Sequence, residues 1–250
     1  GVKMYTLKSP DGKVKLEVTA GQGIAYSLFY DGRLLLKPSR IALHTDLPEA
    51  DHWENIRITG TKQRHVSETV QAPFYRVKEF GIDCNELELR LNNGFSLLMR
   101  AYNDGMAYRF VAGRKGEMTV VEERAEFNFA DDFEAYIPYS TNPKDPWNMA
   151  FQNFYTKAPL TQYNTELPAF LPLTVDAGAV KLTLLESDLE AYPGMFVCGD
   201  GKTPALKGVF AAYPQETFKN KWRCQETVKT RRPYIARVDD KRTFPWRIMA

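Results

Sequence analysis

The chain of 250 residues has the composition of an ordinary globular protein: 44% apolar residues, 26% charged residues and a formal net charge of +2. This balance excludes disorder, and no apolar run approaches the roughly 20 residues that a membrane-spanning helix needs. Residues 201–250 are rich in Lys and Arg, but no nucleic-acid recognition motif accompanies them. We therefore expect no membrane span and no nucleic-acid partner, and we interpret the basic stretch as a solvated or docking face.

Apolar and polar residues alternate along most of the chain, which predicts strands with one buried and one solvated face. The alternation is clearest over residues 14–18 and 87–91. Asn-Gly and Asp-Gly pairs between such runs predict tight turns, because these residues accept positive φ angles. The predicted turns are Pro10-Asp11-Gly12, Asp31-Gly32, Asn92-Asn93-Gly94, Asn103-Asp104-Gly105 and Asp200-Gly201. Two consecutive hairpins are predicted over residues 86–111.

Helical periodicity is not found over any long stretch, and only short helical turns are predicted, near residues 49–54 and 187–191. Residues 138–170 are rich in proline and aromatic residues, which predicts a long structured loop or a sheet edge. Short strands separated by frequent turns predict an all-β fold, a large antiparallel sandwich of about 14–18 strands. We find no boundary within residues 1–250 and expect a single domain.

Local catalytic motifs are absent from the sequence, which contains no nucleophile elbow, phosphate-binding loop or EF-hand loop. The histidines lie too far from any cysteine to suggest a zinc site. The cysteines are Cys84, Cys198 and Cys224. Their odd number excludes full pairing, and we expect three free thiols, with a single bridge such as Cys198 to Cys224 as the alternative in a secreted protein.

Several segments resemble the N-terminal domain of glycoside hydrolase family 97, a family of calcium-dependent α-glucosidases and α-galactosidases. Residues 100–110 give the best match. Further matching segments occur in the same order along the chain as in the family: residues 9–13, 37–43, Glu122-Glu123, 183–195 and Pro245-Trp246-Arg247. The chain departs from the family pattern at residues 68–76 and 83–86, where two tryptophans and one acidic residue of the family are missing. No role of that strand is therefore carried over.

The resemblance implies a galactose-mutarotase-like β-super-sandwich that ends before a (β/α)8 catalytic barrel and a small C-terminal β domain. Both of those domains would lie outside residues 1–250. It also implies an exo-acting bacterial α-glycosidase of polysaccharide utilisation, periplasmic or secreted to the cell surface, whose signal peptide has been removed. The domain would support the barrel and contribute to the pocket for an α-linked oligosaccharide, without a catalytic residue of its own.

The resemblance assigns one site residue, Glu186, as a ligand of a calcium ion that is shared with the barrel. We expect this carboxylate at a strand end on the rim of the sandwich, exposed enough to face a partner domain. From the residues alone, Glu186 is instead a surface carboxylate or a strand-terminal hydrogen-bond acceptor. Calcium takes six to eight oxygen ligands, so we expect the isolated domain to bind it weakly or not at all.

Other functions stay open on the sequence. A stand-alone carbohydrate-binding or scaffold module without catalysis is the alternative to the glycosidase domain. A mutarotase-like enzyme would need a catalytic His and Glu on one concave sheet, and no histidine here has that setting. The sequence distinguishes neither α-glucosidase from α-galactosidase nor a retaining from an inverting mechanism, and it assigns no substrate-binding residue.

Overall fold

Antiparallel strands dominate the structure, a computed structural model. It describes residues 3–46, 53–71, 79–113, 118–140, 155–187, 195–210, 236–238 and 246–249. Within these ranges the helical elements are two short 3-10 turns, Trp53–Asn55 and Leu160–Gln162. The first lies at the end of the predicted helical stretch 49–54, and residues 188–191 of the second predicted stretch lie outside the described residues.

The described part of the chain forms 17 strands. In chain order they are β1 Lys3–Lys8, β2 Val14–Gly21, β3 Gly23–Tyr30, β4 Arg33–Thr45, β5 Ile58–Gln71, β6 Glu79–Leu91, β7 Phe95–Tyr102, β8 Gly105–Ala112, β9 Met118–Phe129, β10 Glu134–Ile137, β11 Thr156–Pro159, β12 Leu173–Asp176, β13 Lys181–Ser187, β14 Met195–Gly199, β15 Ala205–Phe210, β16 Ala236–Val238 and β17 Trp246–Met249. The number of strands and the all-β class confirm the sequence prediction.

The strands form two sheets in which neighbouring strands are antiparallel. The first sheet has eight strands in the order β1-β2-β3-β4-β9-β15-β14, with β16 also paired to β9. The second sheet has nine strands in the order β11-β10-β12-β13-β17-β8-β7-β6-β5. Strands that follow one another in the chain are mostly hydrogen-bonded neighbours, as the short predicted turns require.

The hydrophobic core lies between the two sheets. In β2 and β7 every second side chain is buried, which is the pattern of strands with one face on a core. Tyr26 of the first sheet packs on Tyr108 of the second, with ring centroids 5.7 Å apart. Trp53 packs on Phe95 and Phe110. Most of the buried apolar residues of both sheets belong to one continuous cluster, so the architecture is a β-sandwich.

Each predicted turn lies between two paired antiparallel strands, although Asp200-Gly201 begins the longer connection 200–204 and is not a tight turn. Asp31 and Gly32, which join β3 to β4, have φ angles of +49° and +82°. Positive φ at both central residues defines a turn whose twist matches that of the paired strands. The hairpins predicted over residues 86–111 correspond to β6, β7 and β8 in consecutive antiparallel pairing.

The predicted proline-rich excursion is described only in part, because residues 141–154 lie outside the described residues. In the described part, Pro159 ends β11, the edge strand of the second sheet. That position fits proline, which cannot donate a hydrogen bond to a neighbouring strand. Most of the basic stretch 201–250 also lies outside the described residues.

Strand β17 joins two halves of the second sheet. It pairs with β13 on one side and with β8 on the other. Glu186 lies directly opposite Arg247, and Arg247 lies directly opposite Tyr108. Residues in one row across a sheet project from the same face, so these three side chains form a row on the face toward the core.

A buried arginine between two carboxylates as the candidate functional site

Arg247 is the centre of a buried ion cluster. Its side chain is 1% exposed. Its Nε donates a 2.9 Å hydrogen bond to Oε2 of Glu123, and its Nη2 donates a 2.9 Å hydrogen bond to Oε1 of the same carboxylate. Its Nη1 atom donates a 2.7 Å hydrogen bond to Oε2 of Glu186. A planar guanidinium that faces a carboxylate with two parallel bonds is held in both position and orientation. The cluster therefore has a defined geometry.

The cluster connects the two sheets. Glu186 and Arg247 are cross-strand partners in the second sheet, whereas Glu123 lies on β9 of the first sheet. The aromatic ring of Phe210, on β15 of the first sheet, lies 5.2 Å from the guanidinium carbon of Arg247. A cation over an aromatic face is stabilised by the ring's quadrupole. Arg247 thus contacts both sheets across the interior of the sandwich.

Glu186 is the penultimate residue of β13, so the predicted position at a strand end is correct. The backbone N–H of Met195, the first residue of β14, donates hydrogen bonds of 3.0 Å to both carboxylate oxygens. The Glu186 side chain is partly buried and 12% exposed, so its facing a partner domain stays a prediction. The reason for the partial burial is the cross-strand pairing with Arg247, whose buried charge requires a carboxylate partner.

The carboxylate of Glu186 lies in a mixed electrostatic environment. Among the described residues, Glu123 and Glu186 both contact the guanidinium of Arg247. Burial raises the pKa of Glu186, while Arg247 and the Met195 N–H act in the opposite direction and the charge of Glu123 adds to the rise. Burial is thus the largest influence on the pKa of this carboxyl, and the charge of Arg247 is the largest influence that opposes it.

Tyr108 completes the row beside Arg247. Its side chain is buried, and within the described part of the chain its hydroxyl has no hydrogen-bond partner. Burial raises the pKa of this hydroxyl well above its ordinary value, with the charges of Tyr26 and Glu123 acting in the same direction. The phenol is therefore neutral throughout the ordinary pH range.

The described donor set offers calcium an incomplete set of ligands. A calcium site needs six to eight oxygens at about 2.3–2.6 Å, and the described residues contain no group of three or more His, Cys, Asp or Glu that could hold a metal ion. Both oxygens of Glu123 are bonded to Arg247. Glu186 accepts hydrogen bonds from two donors, the Met195 N–H shared between both oxygens and Nη1 of Arg247, whereas a carboxylate can accept about four. The described residues thus fit calcium with one ligand, on Glu186, and not with a complete site.

Sequence reasoning did not identify the partners of Glu186. Glu123 and Arg247 were part of separate family-like segments, and the structure brings all three together over separations of 61 and 124 residues. One signal was present: Arg247 stands in a short strand whose other residues are apolar, and an Arg that is buried in such a strand needs carboxylate partners.

A second polar cluster lies on the neighbouring strands β5, β6 and β7. Glu86 is buried and accepts hydrogen bonds from Nε of Arg64 at 2.8 Å and from Nε of Arg100 at 2.7 Å. Burial alone would raise the pKa of Glu86, but the two arginines outweigh it and lower the pKa. This strand belongs to the segment that departs from the family pattern, and sequence reasoning assigned it no role.

The cysteines differ from the main expectation of three free thiols. Cys84 is free and buried. Cys198, on β14, is disulfide-bonded, so the expectation is wrong for this residue. Residue 224 lies outside the described residues.

The model of the family "Glycosyl-hydrolase 97 N-terminal" matches residues 7–250. A retaining α-galactosidase of Bacteroides thetaiotaomicron is 39% identical over 98% of the chain, which spans 38% of that enzyme. A probable retaining α-galactosidase of Streptomyces bingchenggensis is 26% identical over 62% of the chain, which spans 24% of its length. The chain thus covers well under half of these curated relatives.

Solved structures share the fold. A β-arabinopyranosidase superposes with a TM-score of 0.81 at 18% identity, over 98% of this chain and 40% of its own. A glycoside hydrolase family 97 enzyme from Pseudoalteromonas sp. strain K8, in complex with acarbose, superposes with a TM-score of 0.75 at 15% identity, over 98% of this chain and 35% of its own. Within the described residues, no helix is long and apolar enough to cross a membrane.

The paired antiparallel sheets define the class of the chain as a large β-super-sandwich, as predicted. The match over residues 7–250 and the 39% identity then give the family. The chain belongs to glycoside hydrolase family 97 and corresponds to the N-terminal domain of the enzymes of that family.

Proposed function

We propose that this domain is part of an exo-acting, retaining α-galactosidase of bacterial polysaccharide utilisation. The single observation that carries the proposal is the 39% identity, over 98% of the chain, to a retaining α-galactosidase. A second curated relative carries the same activity in its name. A β-L-arabinopyranoside has the ring configuration of an α-D-galactoside without the exocyclic hydroxymethyl group, so the name of the structurally similar β-arabinopyranosidase is compatible with the proposal.

Within that enzyme, we infer that the domain is non-catalytic and supports the barrel, closes one side of the sugar pocket and donates Glu186 to a calcium ion. The support is the position of Glu186: it is the penultimate residue of β13, is held by Arg247 and Met195, and retains 12% exposure in the domain alone. When bound, calcium would act as a hard Lewis acid that polarises or orients a sugar oxygen. The remaining ligands would come from the barrel, because the described residues supply only one.

We further propose a periplasmic, secreted or cell-surface location. The disulfide-bonded Cys198 supports it, because disulfides persist in oxidising compartments and are rare in the cytosol.

The activity is tested on the full-length polypeptide that contains residues 1–250. We expect release of nitrophenol from nitrophenyl α-D-galactoside at a rate far above that from the α-D-glucoside, with slower release from the β-L-arabinopyranoside. Proton NMR of the first-formed sugar should show the α-anomer, as a retaining mechanism requires. Preference for the glucoside, or initial release of the β-anomer, would refute the proposed specificity or mechanism.

The calcium role is tested with Glu186→Gln in the full-length polypeptide, because a neutral amide oxygen is a poorer ligand for a hard cation. We expect the calcium concentration for half-saturation to rise by about tenfold or more. Glu134→Gln is the matched control, since Glu134 is an exposed carboxylate of the same sheet. Equal half-saturation in wild type and Glu186→Gln would remove Glu186 from the metal site and leave the domain a structural role.

A further inference from the structure

We propose that Arg247 is a positioning residue for calcium binding, which fixes the carboxylate of Glu186 so that one defined oxygen is left for the metal. The proposal rests on the proposed calcium role of Glu186 and extends it to two residues, Arg247 and Glu123, that do not themselves touch the ion.

The hydrogen bonds around Glu186 are asymmetric. The Met195 N–H lies 3.0 Å from both oxygens and so does not distinguish between them. Arg247 bonds only to Oε2, at 2.7 Å. Oε1 therefore accepts fewer hydrogen bonds than Oε2 and is the oxygen that is available to a metal ion. A positioned ligand costs less conformational entropy on binding than a mobile glutamate does.

The guanidinium of Arg247 is itself fixed by a residue of the opposite sheet. Its two parallel bonds to Glu123 occupy Nε and Nη2, and Phe210 lies against its face. Rotation of the guanidinium would break both bonds in a buried environment. The position of the Glu186 carboxylate therefore depends on contacts with both sheets and not on β13 alone.

Glu123 has a second effect, which acts on the charge of Arg247. An arginine beside a metal ligand would otherwise repel a cation at short range. The bidentate contact with Glu123 offsets part of that charge. The arrangement therefore combines the rigidity of an arginine contact with a smaller electrostatic penalty for calcium.

The experiment titrates calcium into EDTA-treated full-length protein and follows binding by calorimetry, independently of activity. Arg247→Lys keeps the positive charge but replaces the planar fork by a single ammonium group. We expect its calcium Kd to rise by about tenfold, the lower end of the 10–100-fold effect of residues that orient metal ligands. Glu123→Gln should also raise the Kd, because the Arg247 guanidinium then loses a bidentate carboxylate partner that fixes it and offsets its charge.

Met249→Ala is the control for lost stability. Met249 is buried on the same strand as Arg247, so its truncation should lower Tm while leaving the calcium Kd unchanged. Measurements are made at a temperature at which circular dichroism shows that every variant is folded. If Arg247→Lys does not fold, the proposal is tested with Glu123→Gln alone.

The outcomes separate the two proposals. A weaker Kd in Glu186→Gln together with an unchanged Kd in folded Arg247→Lys and Glu123→Gln would overturn the positioning role alone. An unchanged Kd in Glu186→Gln would overturn the calcium proposal on which it rests. An effect of Met249→Ala as large as that of Arg247→Lys would show that Arg247 acts only through stability, which also overturns the positioning role.

Discussion

Glu123 is the residue on which the buried cluster depends most directly, because it accepts two of the hydrogen bonds of Arg247. We predict that Glu123→Ala lowers the free energy of unfolding by about 3–5 kcal/mol, the cost of leaving a buried charge without its partner. Urea denaturation of the isolated domain measures this loss. The adjacent Glu122→Ala, at a half-buried position, should cost less than about 1 kcal/mol. Equal losses in the two variants would contradict a stabilising role for the pair.

Glu86 gives a prediction about pH. Hydrogen bonds from Arg64 and Arg100 outweigh the effect of burial and lower its pKa below the ordinary 4.5. The folded state therefore holds this proton more weakly than the unfolded state does. The stabilisation by Glu86 is complete above the ordinary pKa and is lost as the pH falls through the lowered one.

Urea midpoints of wild type and Glu86→Gln between pH 7 and pH 2 test this linkage. The wild type should be more stable at neutral pH, and the difference should shrink steadily below pH 4.5. A difference that stays constant over the whole range would show that the Glu86 charge contributes nothing to stability.

At the scale of residues, the sequence predicted positions better than partners. The end of β13 at Glu186 follows from the local pattern of residues 183–187. Its low exposure does not, because it depends on Arg247, which is 61 residues away. The same limit applies to Cys198, since the number of cysteines does not determine which of them are bridged. The local sequence pattern predicts the secondary structure around a residue. The contacts of its side chain depend on residues that are distant in the sequence.

At the scale of elements, β17 is the strand whose loss should matter most. Ile248 pairs with Leu185 on one side and with Ala107 on the other. We predict that Ile248→Pro abolishes the cooperative unfolding transition of the domain, because proline lacks the N–H and its ring obstructs pairing in a central strand. Far-UV circular dichroism during thermal unfolding measures the transition.

The matched control for this variant is Met4→Pro. Met4 is 60% exposed and lies on β1, an edge strand with a single neighbour. Proline is tolerated on edge strands, so Met4→Pro should keep a cooperative transition at a lower temperature. If Ile248→Pro unfolds as cooperatively as Met4→Pro does, β17 is not needed to complete the sheet.

Elements formed by neighbouring residues were predicted well. The alternation at residues 87–91 and the Asn92-Asn93-Gly94 turn are enough to define β6, the turn and β7. The position of β17 could not be predicted in the same way, because pairing with both β8 and β13 is a matter of long-range topology. A strand of four residues also carries too little alternation to show which neighbours it will have.

At the scale of the molecule, we predict that the isolated chain of residues 1–250 hydrolyses no aryl α-glycoside. Glycosidases use a pair of carboxylates that flank the bond to be cleaved. In the described part of the chain, the buried pair of Glu123 and Glu186 is engaged by Arg247. The assay follows nitrophenol release from the α-galactoside and the α-glucoside. Turnover above a buffer blank by the purified domain would refute the prediction.

The whole architecture was predictable because two kinds of information agreed. Alternation and turn residues predicted a large antiparallel sandwich, and the family-like segments placed it in a known type of domain. Neither predicted that three of those segments, which contain Glu123, Glu186 and Arg247, meet in one cluster. Their meeting depends on the packing of one sheet on the other, which no local pattern of residues encodes.

The central position of β17 has a consequence for how the domain is synthesised. Its two neighbours, β8 and β13, leave the ribosome long before it does, and at about 5–20 residues per second the delay after β13 alone is several seconds. During that time both neighbours present unpaired edges, which are templates for association with other chains. The nascent domain is thus most vulnerable to aggregation just before residues 246–249 emerge, and a translational pause ahead of them would prolong that vulnerable interval.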